Sequence, residues 1–251
     1  MLERPVREVT YIRAPHDMSP QLRGLYERVA SQLGVDSAYV REVARGESQS
    51  ALVEEGLRNE LNKILQQGIK TPSRHEAQFY SDGRELLDRL VPFVAAAMKR
   101  GDAAVIVATS SHQESVLKRL KSNGLDADAA IKEGKYVAVD AVGALSIFMV
   151  NGMPEPARFF RFVGGLIEES ANAVKTAYPR VAVFGEWTSI LCKKGQVDAA
   201  IRLEQLWNQL AINCEVDLLC GYEISSLCGE ERDRDFKTIC AEHSVVYVQG
   251  K

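Results

Sequence analysis

Residues 101–120, GDAAVIVATSSHQESVLKRL, constrain the fold of this chain more than any other stretch. The apolar run Ala103–Ala108 predicts a strand covered on both faces, because a strand with one solvated face alternates apolar and polar residues. A polar turn at 109–112 and an amphipathic helix follow it. Strand, turn and helix in this order are typical of a parallel α/β sheet, which binds ligands at the carboxyl ends of its strands.

The turn at 109–112 lacks the residues that form a phosphate loop. Such a loop needs several glycines, which let backbone amides surround the phosphates, and a lysine for charge. The turn reads TSSH, and the next lysine is Lys118. ATP hydrolysis through a phosphate loop is therefore not expected. No Ser-His-Asp or Cys-His signature points to other catalysis, so we predict a protein that is not an enzyme, with no catalytic residue and no identifiable cofactor.

The same turn still offers groups that bind polar ligands. Thr109 and Ser110 carry hydroxyls, and His112 titrates near neutral pH. With the first amides of the helix, these groups could hold a carboxylate, a halide or a polar organic molecule. Alternatively, the serine and threonine hydroxyls simply cap the helix.

Other strand ends supply further candidates for ligand binding at that edge. Glu186 and Asp140 each follow a predicted strand, with helix capping or pairing to a basic residue as the alternative role. His75 and Tyr80 flank the first strand, although a histidine such as His75 is more often structural than a ligand. Trp187 and Tyr222 could add aromatic walls or a hydroxyl. The predicted ligand-binding residues are Thr109, Ser110, His112, Asp140, Glu186, Trp187, Tyr222, His75 and Tyr80.

Strands and helices alternate along residues 75–251, which predicts right-handed βαβ units and a mostly parallel sheet. The predicted strands are 75–80, 103–108, 136–139, 181–184, 215–220 and 245–248. The predicted helices are 84–99, 113–120, 125–132, 155–177, 197–213 and 232–241, and residues 151–154 are expected to form a loop.

A separate helical domain is predicted over residues 19–67, between an N-terminal arm (1–18, with one short strand at 9–12) and a linker (68–74). Its segment LYERVASQLGVDSAYVREVARGE resembles a repressor-type helix-turn-helix. In that resemblance Ala30 lets the helices cross closely, Gly34 makes the turn and Val40 anchors the second helix. The residues that would then face DNA are Ser37, Ala38, Arg41, Glu42 and Arg45.

The nearly neutral charge of residues 1–74 leaves a second interpretation of this helical domain open. Residues 1–74 carry 11 basic and 10 acidic side chains. Because phosphate neutralisation supplies much of the affinity for DNA, such a module should bind weakly alone and better as a homodimer. The alternative is a helical module that docks on a partner or on a second copy.

Composition and charge limit the classes of protein to consider. The formal net charge is −3, so no overall positive field indicates nucleic acid or membrane binding, and only a local basic face could serve either. The start MLERPVREVT does not resemble a signal peptide, and no apolar run is long enough to span a membrane, which predicts a cytoplasmic protein. The five cysteines show no CxxC spacing. We therefore expect reduced, buried thiols and no metal site.

Six motifs occur in the order HEAQFY, GDAAVIVATSSHQESVLKRL, KYVAVDA, RVAVFGEW, AAIRLEQLWNQL and DLLCGYE. This order resembles the MEDS domain, the sensory domain named for methanogen and methylotroph proteins. The resemblance implies a RecA/KaiC-like sheet flanked by helices, a small-molecule ligand or signal, and an output through DNA, a histidine kinase or another signalling partner. Trp187 departs from the family pattern, in which an apolar residue often follows Gly-Glu.

The sequence thus predicts an α/β protein with a mostly parallel RecA/KaiC-like sheet, preceded by a small all-α helix-turn-helix-like domain. The leading hypothesis is a transcriptional regulator that couples a MEDS-type sensor to DNA binding. Two alternatives are a degenerate RecA-like nucleotide-binding protein and a scaffold whose helical module mediates dimerisation or partner binding.

Overall fold

The computed structural model describes residues 7–9, 25–66, 73–175, 179–227 and 232–248. These residues fall into two compact units, of which the smaller contains 25–66 and the larger contains 7–9 together with the chain from residue 73 onward. In the part of the chain that is described, no helix has the length and apolar character needed to cross a membrane.

The smaller unit consists of three helices: α1 (Leu25–Leu33), α2 (Ser37–Ala44) and α3 (Ala51–Gln66). Gly34 ends α1 with a φ of +68°, a left-handed conformation that glycine adopts without steric cost. Asp36 caps α2 by accepting a hydrogen bond from the Ala38 amide. The predicted helix–turn–helix segment is therefore observed, whereas the expected start of the first helix at residues 19–20 lies outside the described residues.

Seven strands of the larger unit form one sheet. Its strands are β1 (Arg7–Val9), β2 (His75–Tyr80), β3 (Ala103–Ala108), β4 (Tyr136–Asp140), β7 (Val181–Gly185), β8 (Val216–Glu223) and β9 (Val245–Val248), and a separate hairpin contains β5 (Met149–Val150) and β6 (Met153–Pro154). The order across the sheet is β1-β9-β2-β8-β7-β3-β4. Every pairing in it is parallel except that of β1 with β9, which confirms the predicted fold class.

Helices cover both faces of this sheet. They are α4 (Gly83–Arg100), α5 (Ser110–Ser122), α6 (Ala127–Lys132), α7 (Ala141–Phe148), α8 (Pro156–Asn172), α9 (Trp187–Lys193), α10 (Val197–Asn213) and α11 (Arg232–Ala241), with one 3-10 turn at Ile224–Ser226. One core contains apolar residues of α4 and α5, and a second core contains those of α7 to α11. Strand β3 contributes alternate residues to the two cores, which explains its uninterrupted apolar sequence.

Several short elements differ from the sequence prediction. Helix α7 begins directly after β4 and α9 begins one residue after β7, and their eight and seven residues are too few to show a clear helical period. The expected loop at 151–154 is part of a hairpin, in which Asn151 and Gly152 adopt φ values of 50° and 79°. Asn-Gly is the pair that favours such a two-residue turn. In the N-terminal arm the strand occupies Arg7–Val9, and residues 10–12 of the predicted strand lie outside the described residues.

Gly221 is required where β8 passes β7. A Cβ added at Gly221 would lie 2.9 Å from Cζ and 3.0 Å from Cε2 of Phe184, a ring that is fully buried. We expect Gly221→Ala to destabilise the larger unit by about 1–3 kcal/mol through overpacking. Urea unfolding followed by circular dichroism measures this effect.

Gly185→Ala is the matched control, because a Cβ at Gly185 on the neighbouring strand would meet no atom within 4 Å. Both substitutions reduce the freedom of the unfolded backbone in the same way. Equal changes in the free energy of unfolding would contradict the close approach at Gly221.

Candidate functional site

Four of the predicted ligand-binding residues meet at the carboxyl edge of the sheet. Oε1 of Glu186 lies 2.5 Å from Nδ1 of His112 and accepts a hydrogen bond from the Tyr80 hydroxyl at 3.3 Å. Oε2 of Glu186 accepts a hydrogen bond from the Thr109 amide at 2.9 Å. We refer to Tyr80, Thr109, His112 and Glu186 as the edge cluster.

The sheet topology explains why these residues meet. Val107 pairs with Gly185, so the residues that follow β3 and β7 adjoin each other, and the Glu186 amide donates to the Val107 carbonyl at 3.1 Å. Helix α5, which follows β3, packs on one face of the sheet, and α9, which follows β7, packs on the other. A place where the chain leaves two neighbouring strands toward opposite faces of the sheet is a topological switch point. A crevice opens at such a point, and open α/β sheets bind ligands there.

Charge within the edge cluster centres on Glu186, which is 3% exposed. Its hydrogen bond to His112 raises the pKa of that imidazole, although burial acts in the opposite direction. Burial and the charge of Glu186 raise the pKa of Tyr80, so the hydroxyl stays protonated and donates. The edge cluster therefore places the partly buried His112 imidazole, whose protonated form is favoured by its neighbour, beside the buried Glu186 side chain.

Carboxylates of the chain itself occupy helix N-termini along this part of the fold. Asp82 accepts from the Arg84 and Glu85 amides at the start of α4. Asp140 accepts from the Gly143 amide at the start of α7, and Glu186 accepts from Thr109, the residue before α5. Some of the amides near this edge therefore already have an acceptor, whereas no side chain caps the first turn of α5. The carboxylates here favour a ligand that donates hydrogen bonds.

The remaining predicted residues near this edge have other environments. Asp140 is exposed and caps α7 rather than joining the edge cluster. Ser110 is exposed in the first turn of α5, and the side chain of Thr109 makes no capping hydrogen bond. Trp187 is 1% exposed and its indole donates to the Ala141 carbonyl at 2.9 Å. It therefore belongs to the apolar core, because the residue begins α9 and its ring turns toward α7 and α10.

His75 and Tyr222 lie in a different place from the edge cluster. Successive residues of a strand face opposite sides, so His75 and Phe79 share one core whereas Tyr80 faces the other. Both His75 and Tyr222 contact the buried carboxylate of Glu204. With Cys220 and His243 they form what we call the buried cluster, whose members are His75, Glu204, Cys220, Tyr222 and His243.

Sequence reasoning missed Cys220 and His243, because they are far from His75 and Glu204 along the chain. The available signal was the pairing of the HEAQFY and DLLCGYE motifs as neighbouring strands. Burial raises the pKa of the Cys220 thiol and lowers that of His243 to about 4. Burial opposes the charge of Glu204 as well, but the two imidazoles and the Tyr222 hydroxyl hold its pKa below the usual range.

A surface cleft of about 640 Å³ lies between α7 and α8, within the size range of small-molecule sites. Ile147, Phe162 and Leu166 supply its apolar lining, and Arg158, Arg161 and Glu169 supply its charged lining. None of the edge-cluster residues lines this cleft.

In the smaller unit, the residues predicted to face DNA lie along α2. Ala38, Arg41 and Arg45 are exposed, and Ser37 and Glu42 are partly exposed.

The residues that hold this helix are buried: Ala30 is 5% exposed and Val40 is fully buried. Arg41 pairs with Glu27 and lies over the Tyr26 ring, and Arg45 pairs with Glu47 at 3.0 Å. The face is thus presented to solvent with its arginines already paired to carboxylates.

Comparison with known proteins gives one family. No curated protein matches the chain. Among solved structures, it is similar to a KaiC-like protein of the hyperthermophilic archaeon Pyrococcus horikoshii OT3, with 16% identity, a TM-score of 0.40 and coverage of 62% of this chain. The match spans 65% of that protein's length. Residues 74–237 match the model of the methanogen/methylotroph, DcmR sensory domain, abbreviated MEDS, so this chain belongs to the MEDS family of sensory domains.

Proposed function

We propose that this chain is a ligand-responsive transcriptional regulator, in which the MEDS sensory domain detects a small molecule and the helical unit binds DNA through α2. Membership of a sensory family supports the first half of this proposal. The arrangement of α1, the Gly34 turn and α2 carries the second half. A helix-turn-helix places its second helix in the major groove of DNA.

The helical unit supports a recognition role for α2 through the separation of its two faces. Val40 and Val43 point into the core with Val29 and Ala30 of α1, and the opposite face of α2 is exposed. Among the described residues of this unit, Arg28, Arg41 and Arg45 are paired with glutamates, so we expect it to act as a homodimer whose two α2 helices contact adjacent half-sites. For the ligand, the carboxylates near this edge favour a polar molecule that donates hydrogen bonds.

Replacing both Arg41 and Arg45 by alanine is expected to weaken binding of the full chain to the promoter DNA of its own gene. Loss of two phosphate contacts should lower the slope of log affinity against log salt by about 2. Fluorescence anisotropy with labelled promoter DNA over a series of salt concentrations measures both quantities.

Arg58→Ala is the matched control, because Arg58 is an exposed arginine on α3 rather than on α2. A loss of affinity as large for this variant as for the double variant would contradict recognition through α2. The absence of salt-sensitive DNA binding by the unaltered chain would favour a dimerisation or partner-docking role for the helical unit. The ion pairs of Arg41 and Arg45 with glutamates are the observation behind that second candidate.

A further inference from the structure

The buried cluster gathers four metal-binding side chains. One ligand atom each from His75, Glu204, Cys220 and His243 lies within 4.8 Å of the other three. The exposed fraction of these residues is 4%, 0%, 3% and 2%, respectively. They come from β2, α10, β8 and the turn before β9, so the tertiary fold alone brings them together.

Four of the six distances between these atoms are close to the edges of a tetrahedron. Nε2 of His75 lies 3.0 Å from Oε2 of Glu204 and 3.3 Å from Sγ of Cys220. Oε2 of Glu204 is 3.5 Å from both Sγ of Cys220 and Nε2 of His243. Four ligands at zinc bond lengths of about 2.0–2.3 Å are separated by roughly 3.3–3.8 Å. A small outward movement of the side chains would therefore admit the ion.

The hydrogen bond of His243 directs one of its lone pairs into the cluster. Its Nδ1 lies 2.7 Å from the Ile239 carbonyl oxygen, which only accepts, so Nδ1 carries the proton. In a neutral ring Nε2 is then an acceptor that faces Glu204. No donor among the described residues reaches this buried Nε2 atom. A buried acceptor without a partner is costly, and a cation in the cluster would satisfy it.

His75 is oriented in the same way by Asn208. The Asn208 side-chain nitrogen donates to the backbone oxygen and the carboxylate of Glu242, at 3.0 and 2.8 Å. The Asn208 Oδ1 therefore faces Nδ1 of His75, at 3.0 Å, and accepts a hydrogen bond from its N–H. Nε2 of His75 is left to face Glu204 and Cys220. Histidines that ligate metals almost always donate their other ring N–H to an acceptor of this kind.

Tyr222 completes the set by holding Glu204. Its hydroxyl donates to Oε1 of the carboxylate, which leaves Oε2 to the two histidines and the cysteine. Lone pairs from three side chains then converge on one small buried volume.

We propose that the buried cluster binds a divalent transition metal, with Zn²⁺ as the expected ion. The four ligands are His75, Glu204, Cys220 and His243. A carboxylate, a thiolate and two neutral imidazoles sum to a charge that balances the ion, as a buried site requires. Cys220 loses its proton to solvent when the metal binds. Four protein ligands leave no open position, so the metal is structural and ties β2, β8, α10 and the segment before β9 together.

Cobalt titration of the metal-free full chain tests this site, because Co²⁺ reports thiolate ligation through a charge-transfer band and tetrahedral geometry through its visible bands. We expect one equivalent to bind with both signatures, and Zn²⁺ to displace it. Cys220→Ser should remove the charge-transfer band. Asn208→Ala should keep the band and weaken affinity about 10–100-fold, because it removes only the partner that orients His75.

Cys192→Ser is the control, since Cys192 is a buried thiol outside the cluster. It should retain the charge-transfer band. The proposal is overturned if the unaltered chain shows no charge-transfer band with Co²⁺, an outcome that does not depend on how any variant folds. Loss of the band in Cys192→Ser together with its retention in Cys220→Ser would also overturn it.

Discussion

Replacing Glu186 by alanine is expected to destabilise the larger unit by about 2–4 kcal/mol, because a buried carboxylate with several hydrogen-bond partners is removed. Tyr80 and the Thr109 amide lose their acceptor, and His112 loses the anion beside it. Urea unfolding monitored by circular dichroism gives the change in the free energy of unfolding.

Asp140→Ala provides the comparison, since Asp140 also follows a strand but is exposed and only caps α7. Loss of a helix cap costs about 1 kcal/mol. If Glu186→Ala were no more destabilising than Asp140→Ala, the edge cluster would not be an organised polar centre.

The pairing of Glu186 with His112 also predicts the direction in which stability changes with pH. The folded pKa of His112 is raised above its unfolded value of about 6.5, chiefly by the hydrogen bond to Glu186. The stabilisation from this pair is therefore complete below about pH 6.5 and is lost as pH rises through the folded pKa. Glu186→Gln should lower the pKa of His112, as followed by NMR, and remove this pH dependence. An unchanged pKa in that variant would contradict the pairing.

Replacing Trp187 by alanine is expected to be the most damaging single change, at about 3–5 kcal/mol. The indole packs edge-on against Phe148 and stacks on Trp207, with ring centroids 5.0 and 5.9 Å away. Its N–H also satisfies the Ala141 carbonyl. Thermal and urea unfolding of the variant measure the loss.

Trp187→Phe is the milder comparison, because it keeps an aromatic ring in the core while it removes the hydrogen-bond donor and part of the ring volume. We expect this variant to recover a large part of the stability. A Trp187→Ala protein as stable as the unaltered chain would contradict the core position and return Trp187 to the ligand-binding set.

The strands were predictable where burial on both faces produces a recognisable pattern of residues in the sequence. The bounds of β2, β3 and β9 match the prediction because each is a short apolar or alternating run between turn residues. Helices α7 and α9 were not predictable, since each is short and only a single acidic residue, Asp140 or Glu186, marks its junction with the preceding strand. Tertiary packing alone distinguishes strand from helix there.

The candidate site was predictable in part for a related reason. Sequence order shows which residues follow a strand, and this was sufficient to place Thr109, His112 and Glu186 at one edge. It does not show which face a side chain takes once helices pack on both sides. His75 and Tyr222 therefore fall into the buried cluster, where long-range pairing brings them to Glu204.

The central claim is that the sensory domain controls the helical unit. Its most direct test compares the affinity for promoter DNA of the unaltered full chain with that of the Glu186→Gln variant. Coupling between two sites is typically worth about 5–150-fold in affinity. We expect Glu186→Gln to change the affinity by at least about fivefold, whereas Asp140→Asn leaves it unchanged. Equal affinities for the Glu186→Gln and unaltered proteins would contradict coupling between the edge cluster and DNA binding.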